Sequence, residues 1–298
     1  MTKPLNSLAV VTPSYGPDAD QFADLHRSVL EYTPEDTVHH VFVPRADRPL
    51  FAAHEGPRCR VRTVGELLPK RYVKVPRLGM WVNVLRPWPP VRGWVMQQIV
   101  KLAATAAMDA DVVLVADSDV VLVRPTTAQR ALVNGRPLLH RLEDGVHPLM
   151  TRHVLWHRVA RELLRLPPPP EPPLPDYMSP LTFWDPAIVR GLQRRLTENM
   201  GRQWADVFGS RLHVSEFMLY GLFVDEVLSA PGGRPPSDTS LCHKTPDESP
   251  MDLPTALAFA DRLEPGAIGM MVSAKSGTPR EVRQAAIRRC AEVANRVS

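Results

Sequence analysis

Val112-Val113-Leu114-Val115-Ala116-Asp117-Ser118-Asp119, residues 112–119, is an unbroken apolar run that ends on two carboxylates one residue apart. A second apolar run, Val120 to Val123, follows, and then Arg124-Pro125. Short continuous runs of this kind read as strands buried on both faces. In an α/β sheet the ligand site is the crevice beyond the carboxyl ends of the strands. Two acidic side chains delivered there suit Mg²⁺ or Mn²⁺ and leave positions for phosphate and water. Asp-x-Asp by itself says little. Asp18-Ala19-Asp20 and Asp109-Ala110-Asp111 share the pattern, and neither follows a predicted buried strand. The plain alternative for Asp117 and Asp119 is a turn with two solvated carboxylates; the flanking strands and the helix before them weigh against it.

That helix is predicted over residues 94–108, WVMQQIVKLAATAAM. Val95, Ile99, Leu102 and Ala106 form its apolar stripe, and Gln98, Lys101 and Thr105 a polar one. The polar stripe either borders the crevice or meets solvent, as in an ordinary amphipathic helix. Towards the amino end, residues 8–12 read as a first strand, 20–31 as a helix and Val38 to Val43 as a second strand that ends before Asp47. This is the opening half of a doubly wound nucleotide-binding sheet. No G-x-G-x-x-G occurs, nor any P-loop, H-E-x-x-H or G-x-S-x-G motif, which removes dinucleotide, P-loop, zincin and serine-hydrolase readings.

Between Leu67 and Met108 there is no Asp or Glu, while Lys70, Arg71, Lys74, Arg77, Arg86, Arg92 and Lys101 alternate with Tyr72, Trp81, Trp88 and Trp94. Such a stretch balances a pyrophosphate, or lies as a surface loop, or touches a membrane. Further on, Arg152 to Leu166 and Val214 to Leu228 read as helices, the latter with Ser215 as N-cap. Ile268 to Ser273 reads as a late strand. Thr278-Pro279-Arg280-Glu281 has the pattern that opens a final helix.

With 298 residues and 44% hydrophobic content, one sizeable α/β domain is expected. The net charge of +4 suits an anionic small molecule and does not call for nucleic acid. Three scattered cysteines support neither a disulfide framework nor a zinc ribbon. No run approaches the roughly 20 apolar residues of a membrane span, so a cytoplasmic protein is the expectation. The 32 prolines are roughly twice the usual share. The densest run, PPPPEPPLP at 167–175, is expected to cross the surface without joining a core.

Five segments carry a resemblance: VVTPSYGPD (10–18), GWVMQQIVKLA (93–103), DVVLVADSDVVLVRP (111–125), SEFMLYGLFV (215–224) and the late His243. The chain resembles the GT-A type glycosyltransferases, the Asp-x-Asp nucleotide-sugar enzymes. More closely, it resembles a bacterial family catalogued as a domain of unknown function. The resemblance implies a GT-A type α/β fold: a Rossmann-like, mixed central sheet flanked by helices, in a single domain. About 1–125 would form the nucleotide-sugar-binding half and about 126–298 the acceptor-side half.

The resemblance also implies a division of labour. Thr12, Ser14 and Tyr15 would meet the nucleoside, with Tyr15 offering a flat face to the base. Asp47 would accept from ribose or base, and Gln98, Ser118, Lys101 and Lys275 would complete the donor site, the two lysines at the pyrophosphate. Asp117 and Asp119 would hold Mn²⁺ or Mg²⁺, with Asp117 also near the sugar. His243 would add a third ligand, unless it is simply a partly buried histidine. Glu216 would act as base for the acceptor hydroxyl, or else is a first-turn acid that favours its helix dipole. Tyr177, Trp184 and Asp185 would shape the acceptor pocket. The implied activity is metal-dependent transfer from a nucleoside-diphosphate sugar, UDP favoured, to a small-molecule, lipid or glycan hydroxyl. A nucleotidyltransferase and a non-catalytic sugar-nucleotide or carbohydrate-binding protein are the alternatives. Nothing in the spacing chooses between retention and inversion.

Overall fold

The computed structural model describes residues 7–75, 78–133, 136–228, 236–237, 240–245 and 249–296. The first apolar run forms β1 (Leu8–Pro13), and α1 (Ala19–Tyr32) carries the chain to β2 (Val38–Val43) and β3 (Cys59–Thr63). A small antiparallel sheet follows, β4 (Tyr72–Val75), β5 (Met80–Asn83) and β6 (Arg86–Arg92). Then α2 (Gly93–Ala107) leads into β7 (Val112–Ala116), and β8 (Val120–Leu122) comes directly after Asp119. Beyond these lie α3 (Thr151–Leu164), β9 (Leu181–Trp184), α4 (Pro186–Met200) and α5 (Glu216–Leu222). The chain continues through β10 (Cys242–Lys244), α6 (Leu253–Asp261), β11 (Gly269–Met271) and α7 (Arg280–Arg296).

The central sheet has five strands in the order β9-β7-β1-β2-β3. β7, β1, β2 and β3 run parallel and β9 pairs antiparallel to β7, so the sheet is mixed and mostly parallel, as expected. Successive strand side chains face opposite sides. Ala9, Val11, Val113 and Val115 therefore meet Val95, Ile99 and Leu102 of α2 in one core. Leu8, Val10, Val112, Leu114 and Ala116 meet Leu25 and Val29 of α1 in another. Cover on both faces is why these strands read as continuous apolar runs. Ile99 and Leu102 are fully buried; each side chain contributes about 1.5–3 kcal/mol by leaving water.

A second sheet, β10-β11-β8, is built around β11, which is parallel to β10 and antiparallel to β8. Its far face packs on α6 and α7 in a separate core that includes Val121, Phe259, Met270 and Cys290. Asp117-Ser118-Asp119 is thus the corner where the chain leaves the first sheet and enters the second.

The Val214–Leu228 helix is shorter than its pattern: α5 ends at Leu222 and Phe223–Val227 continues as a π turn. Ser215 caps it as expected, accepting from the Met218 amide at 3.3 Å. Gly221 is needed where it stands, because a Cβ there would lie 2.2 Å from the Tyr177 ring. One expectation is corrected. Most of the proline run is exposed or half-buried, but Leu174 at its end is buried in the core and pairs with Val146. The run ends as a strand, Leu174–Asp176, and a strand's alternate residue can face inward even among prolines. Among the described residues no helix is long and apolar enough to cross a membrane.

Candidate functional site

Three segments meet at the corner beyond the ends of β1 and β7. The first is the loop after β1, with Ser14, Tyr15 and Asp18. The second is Asp117-Ser118-Asp119. The third is the 3-10 turn Ala274–Ser276 after β11. The turn itself is held by backbone: the Asp117 amide donates to the Pro180 carbonyl at 3.0 Å, and the Val120 amide to the Asp117 carbonyl at 3.1 Å. The buried Ser118 hydroxyl lies 3.0 Å from that of Ser14 and 3.3 Å from the Pro13 carbonyl. Ser14 and Ser118 therefore pin the two strand ends together. Both side chains are buried, and the two hydroxyls face one another.

Asp119 accepts from the Ala274 amide at 2.9 Å, which ties the corner to the turn that carries Lys275. Burial raises the Asp119 carboxyl, and the neighbouring Asp117 raises it further. Asp18 is pushed up to about 6, by burial first and then by Asp119 and Asp117, against the lowering pull of Lys275. Tyr15, partly exposed, is also raised, by burial and then by Asp18 and Asp119. Three carboxylates and a phenol thus crowd one rim with incomplete compensation. Asp18 is the residue that sequence reasoning missed. Its Asp-x-Asp follows a loop and not a strand; the signal that could have found it is its place in the VVTPSYGPD segment at the end of β1.

Behind this rim lies a buried ion-pair cluster. Lys101 of α2 places Nζ 2.7 Å from Asp117 Oδ1 and 2.9 Å from Glu216 Oε1, over the Phe217 ring. Burial alone would lower the Lys101 pKa, but Asp117 and Glu216 outweigh it and the ammonium is held charged. Burial raises the Glu216 carboxyl against the pull of Lys101. The Glu216 amide donates to Gln98 Oε1 at 3.0 Å. The buried Gln98 Nε2 has no hydrogen-bond partner among the described residues.

The helix's polar stripe therefore does border the site, but from inside. The Lys101 ammonium, expected at the pyrophosphate, is buried and engaged by two carboxylates. Gln98 is buried and holds the Glu216 backbone. Glu216 is 2% exposed, so it is not positioned here as a base for an acceptor hydroxyl. Asp117 is the open member of the cluster, with a side chain 37% exposed.

Other expectations sort as cleanly. Asp47 stands beside the crevice: it accepts from the Gly16 amide at 3.1 Å and lies 3.6 Å from Lys74. Thr12, expected at the nucleoside, is fully buried with Oγ1 2.9 Å from His39 Nε2. His243 does not join Asp117 and Asp119. Alternation along β10 turns Cys242 toward the strand core and His243 toward α6, where it stacks on Phe259 with Nε2 2.9 Å from the Phe259 carbonyl. Trp184 is core, stacked on Tyr220, and Tyr177 is buried with its hydroxyl donating to Asp225 at 2.7 Å. Asp185 caps α4 by accepting from Ala187 and Ile188 amides. A cleft of about 360 Å³ lined by Arg190, Gln193, Glu198 and Trp204 holds none of the expected residues.

The segments at this corner lie within residues 8–229, apart from the turn at 274–276, and a family model matches that span. The chain belongs to DUF6492, a family of unknown function. A search among curated proteins finds no match. Among solved structures, this DUF6492 chain is similar to galactosyltransferase LgtC in complex with donor and acceptor sugar analogues, at 14% identity and a TM-score of 0.45, over 97% of this chain and 95% of that one. It is similar to mouse xyloside xylosyltransferase 1 in its apo form, at 12% identity and a TM-score of 0.43, over 91% of this chain and 99% of that one. It is also similar to the Mn/GDP form of core-mannan synthase A from Aspergillus fumigatus, at 9% identity and a TM-score of 0.39, over 74% and 71%.

Proposed function

We propose that this protein is a glycosyltransferase of GT-A type that moves a sugar from a nucleoside-diphosphate sugar, UDP favoured, to an acceptor hydroxyl. The observation that supports it most is the corner itself. A mostly parallel sheet presents Asp117 and Asp119 at its strand ends, with Tyr15, Asp18 and Asp47 around them. This is where an α/β sheet binds a nucleotide.

The residues fit a divalent cation shared with a substrate. Among the described residues no group of three or more His, Cys, Asp or Glu is placed to cage a metal. Mg²⁺-type ions commonly bind through one or two carboxylates plus substrate phosphates, without an all-protein cage. Burial first, and then repulsion among the carboxylates, raises Asp18 and Asp119, and a cation at Asp117 and Asp119 would relieve that repulsion. Bound there, Mn²⁺ or Mg²⁺ would offset charge on the leaving nucleoside diphosphate. Tyr15 would stack on the base, and Asp47 would accept from ribose or base. Lys275, on the turn held by Asp119, is the exposed cation that would meet phosphate. Lys101 fixes the orientation of Asp117, and Glu216 balances its charge.

Binding without turnover is the second reading, and the burial of Glu216, the base expected at the acceptor side, favours it. Calorimetric titration of UDP, GDP and deoxythymidine diphosphate with Mn²⁺, repeated with excess chelator, tests the donor site. One nucleotide bound in the micromolar range and lost with chelator is the expected result. No binding by folded protein would remove Asp117 and Asp119 from this role. Donor-sugar turnover with Mn²⁺ then separates transfer from binding alone.

A further inference from the structure

The β4-β5-β6 sheet has one face that is anchored and one whose side chains are exposed or half-exposed. On the inner side Tyr72, Trp81, Asn83 and Val91 are buried. Asp206 accepts there from Asn83 Nδ2 at 2.9 Å and from Arg71 Nη2 at 3.1 Å. The register pairs Val73 with Val82, Val75 with Met80, and Met80 with Arg92, so these residues share the opposite, outer face. All of them are exposed or half-exposed. At the edges, Leu85 is 78% exposed and Trp88 is 80% exposed, beside exposed Val84.

The sheet's own residues carry charge of one sign. No Asp or Glu occurs between Leu67 and Met108. Lys70, Arg86 and Arg92 are exposed, and among the described residues none of the three is ion-paired. A contiguous apolar face on a folded domain marks an interaction surface. An all-cationic rim selects a partner of negative charge. Tryptophan beside arginine, with leucine and valine at a turn, is the side-chain set that suits the boundary between headgroups and acyl chains.

We propose that the outer face of β4-β5-β6 docks on a bilayer containing anionic lipid. Val84, Leu85 and Trp88 enter the interface, and Lys70, Arg86 and Arg92 lie among the headgroups. The proposed docking uses the outer face of this sheet and needs no nucleotide. Its failure and the failure of the proposed sugar transfer are therefore separate outcomes.

The test is co-sedimentation of the full chain with phosphatidylcholine vesicles, with and without phosphatidylglycerol, at low and high salt. The expected result is binding to the anionic vesicles at low salt, release at high salt and little binding to the neutral ones. The Leu85→Ala/Trp88→Ala variant, at exposed positions that leave the core intact, should bind roughly tenfold more weakly. Arg86→Gln and Arg92→Gln should each lose roughly fivefold. Absence of binding to anionic vesicles at low salt would overturn the proposal. So would equal binding by wild type and the double variant. A self-associated species in sedimentation velocity that the double variant dissolves, with no vesicle binding, would also overturn it and assign the face to a second copy of the chain.

Discussion

Strand β1 ends between two clusters of titratable side chains that have opposite characters. On one side are Asp18, Asp117 and Asp119, with a single buried ammonium, Lys101, shared by Asp117 and Glu216. On the other are three histidines between α1 and the sheet. His39 Nε2 meets Thr12 Oγ1 at 2.9 Å, His39 Nδ1 meets His26 Nδ1 at 3.1 Å, and His54 packs edge-on to His26. Burial lowers His39 well below its usual range, lowers His26 to about 4 and also lowers His54. The histidine cluster is held neutral by burial, and His26 and His39 satisfy one another. The acidic cluster carries charge that the protein alone leaves partly uncompensated. Uncompensated charge at strand ends is the mark of a ligand site; a neutral, mutually bonded cluster is the mark of packing.

The largest effect should come from removing the cation that links the acidic cluster to the core. Lys101→Met leaves two carboxylates without their partner, Glu216 fully buried. It should cost about 3–5 kcal/mol of stability in denaturant unfolding. Lys101→Met/Glu216→Leu should recover much of that loss. If the single variant unfolds like wild type, the cluster is not held by charge.

Asp119→Ala should sharpen the same contrast from the ligand side. It should weaken Mn²⁺-dependent nucleotide binding by about 100-fold or more, with a small change in stability, measured by calorimetry and by thermal melting. Full retention of metal-dependent affinity would sever the corner from any cation.

The histidine cluster makes an opposite kind of prediction, in stability and not in binding. A histidine whose folded pKa lies below its unfolded value leaves the unfolded chain holding more protons between the two, so stability rises with pH across that interval. Stability should therefore be complete above pH 6.5 and fall as pH drops toward about 4, the range set by His26. Replacing His26 by Phe should flatten that slope in urea titrations at several pH values. A slope unchanged by the substitution would assign the acid sensitivity to other groups. The smallest effect is expected at the partly exposed rim: Tyr15→Ala should weaken nucleotide binding by about 3- to 10-fold and leave the melting temperature alone.

Much of the framework was legible in the chain because it obeys local rules. Val38–Val43 and Val112–Ala116 form strands over the predicted residues, and Ser215 caps the helix that its position suggested. The site was legible only in part. Asp117 and Asp119 were visible because a buried strand ran straight into them. Asp18 was not, since its approach to Asp119 depends on how the loop after β1 folds back over the corner. His243 misled because strand alternation, which fixes its direction, depends on where β10 pairs. Lys101 and Glu216 were each flagged, but their contact spans 115 positions in the chain, and no local pattern encodes it.

The sequence by itself determined the periodicities: which runs are strands, which helix faces are apolar, and that two carboxylates end a strand. Periodicity is a property of neighbours along the chain, so it can be read there. The tertiary structure decided which polar side chains are open and which are engaged. Thr12, Ser14, Gln98, Lys101, Ser118 and Glu216 all have the chemistry of ligand contacts, yet each is buried on another protein group. Whether a donor or acceptor remains available depends on its partners in space, and burial makes those partners obligatory.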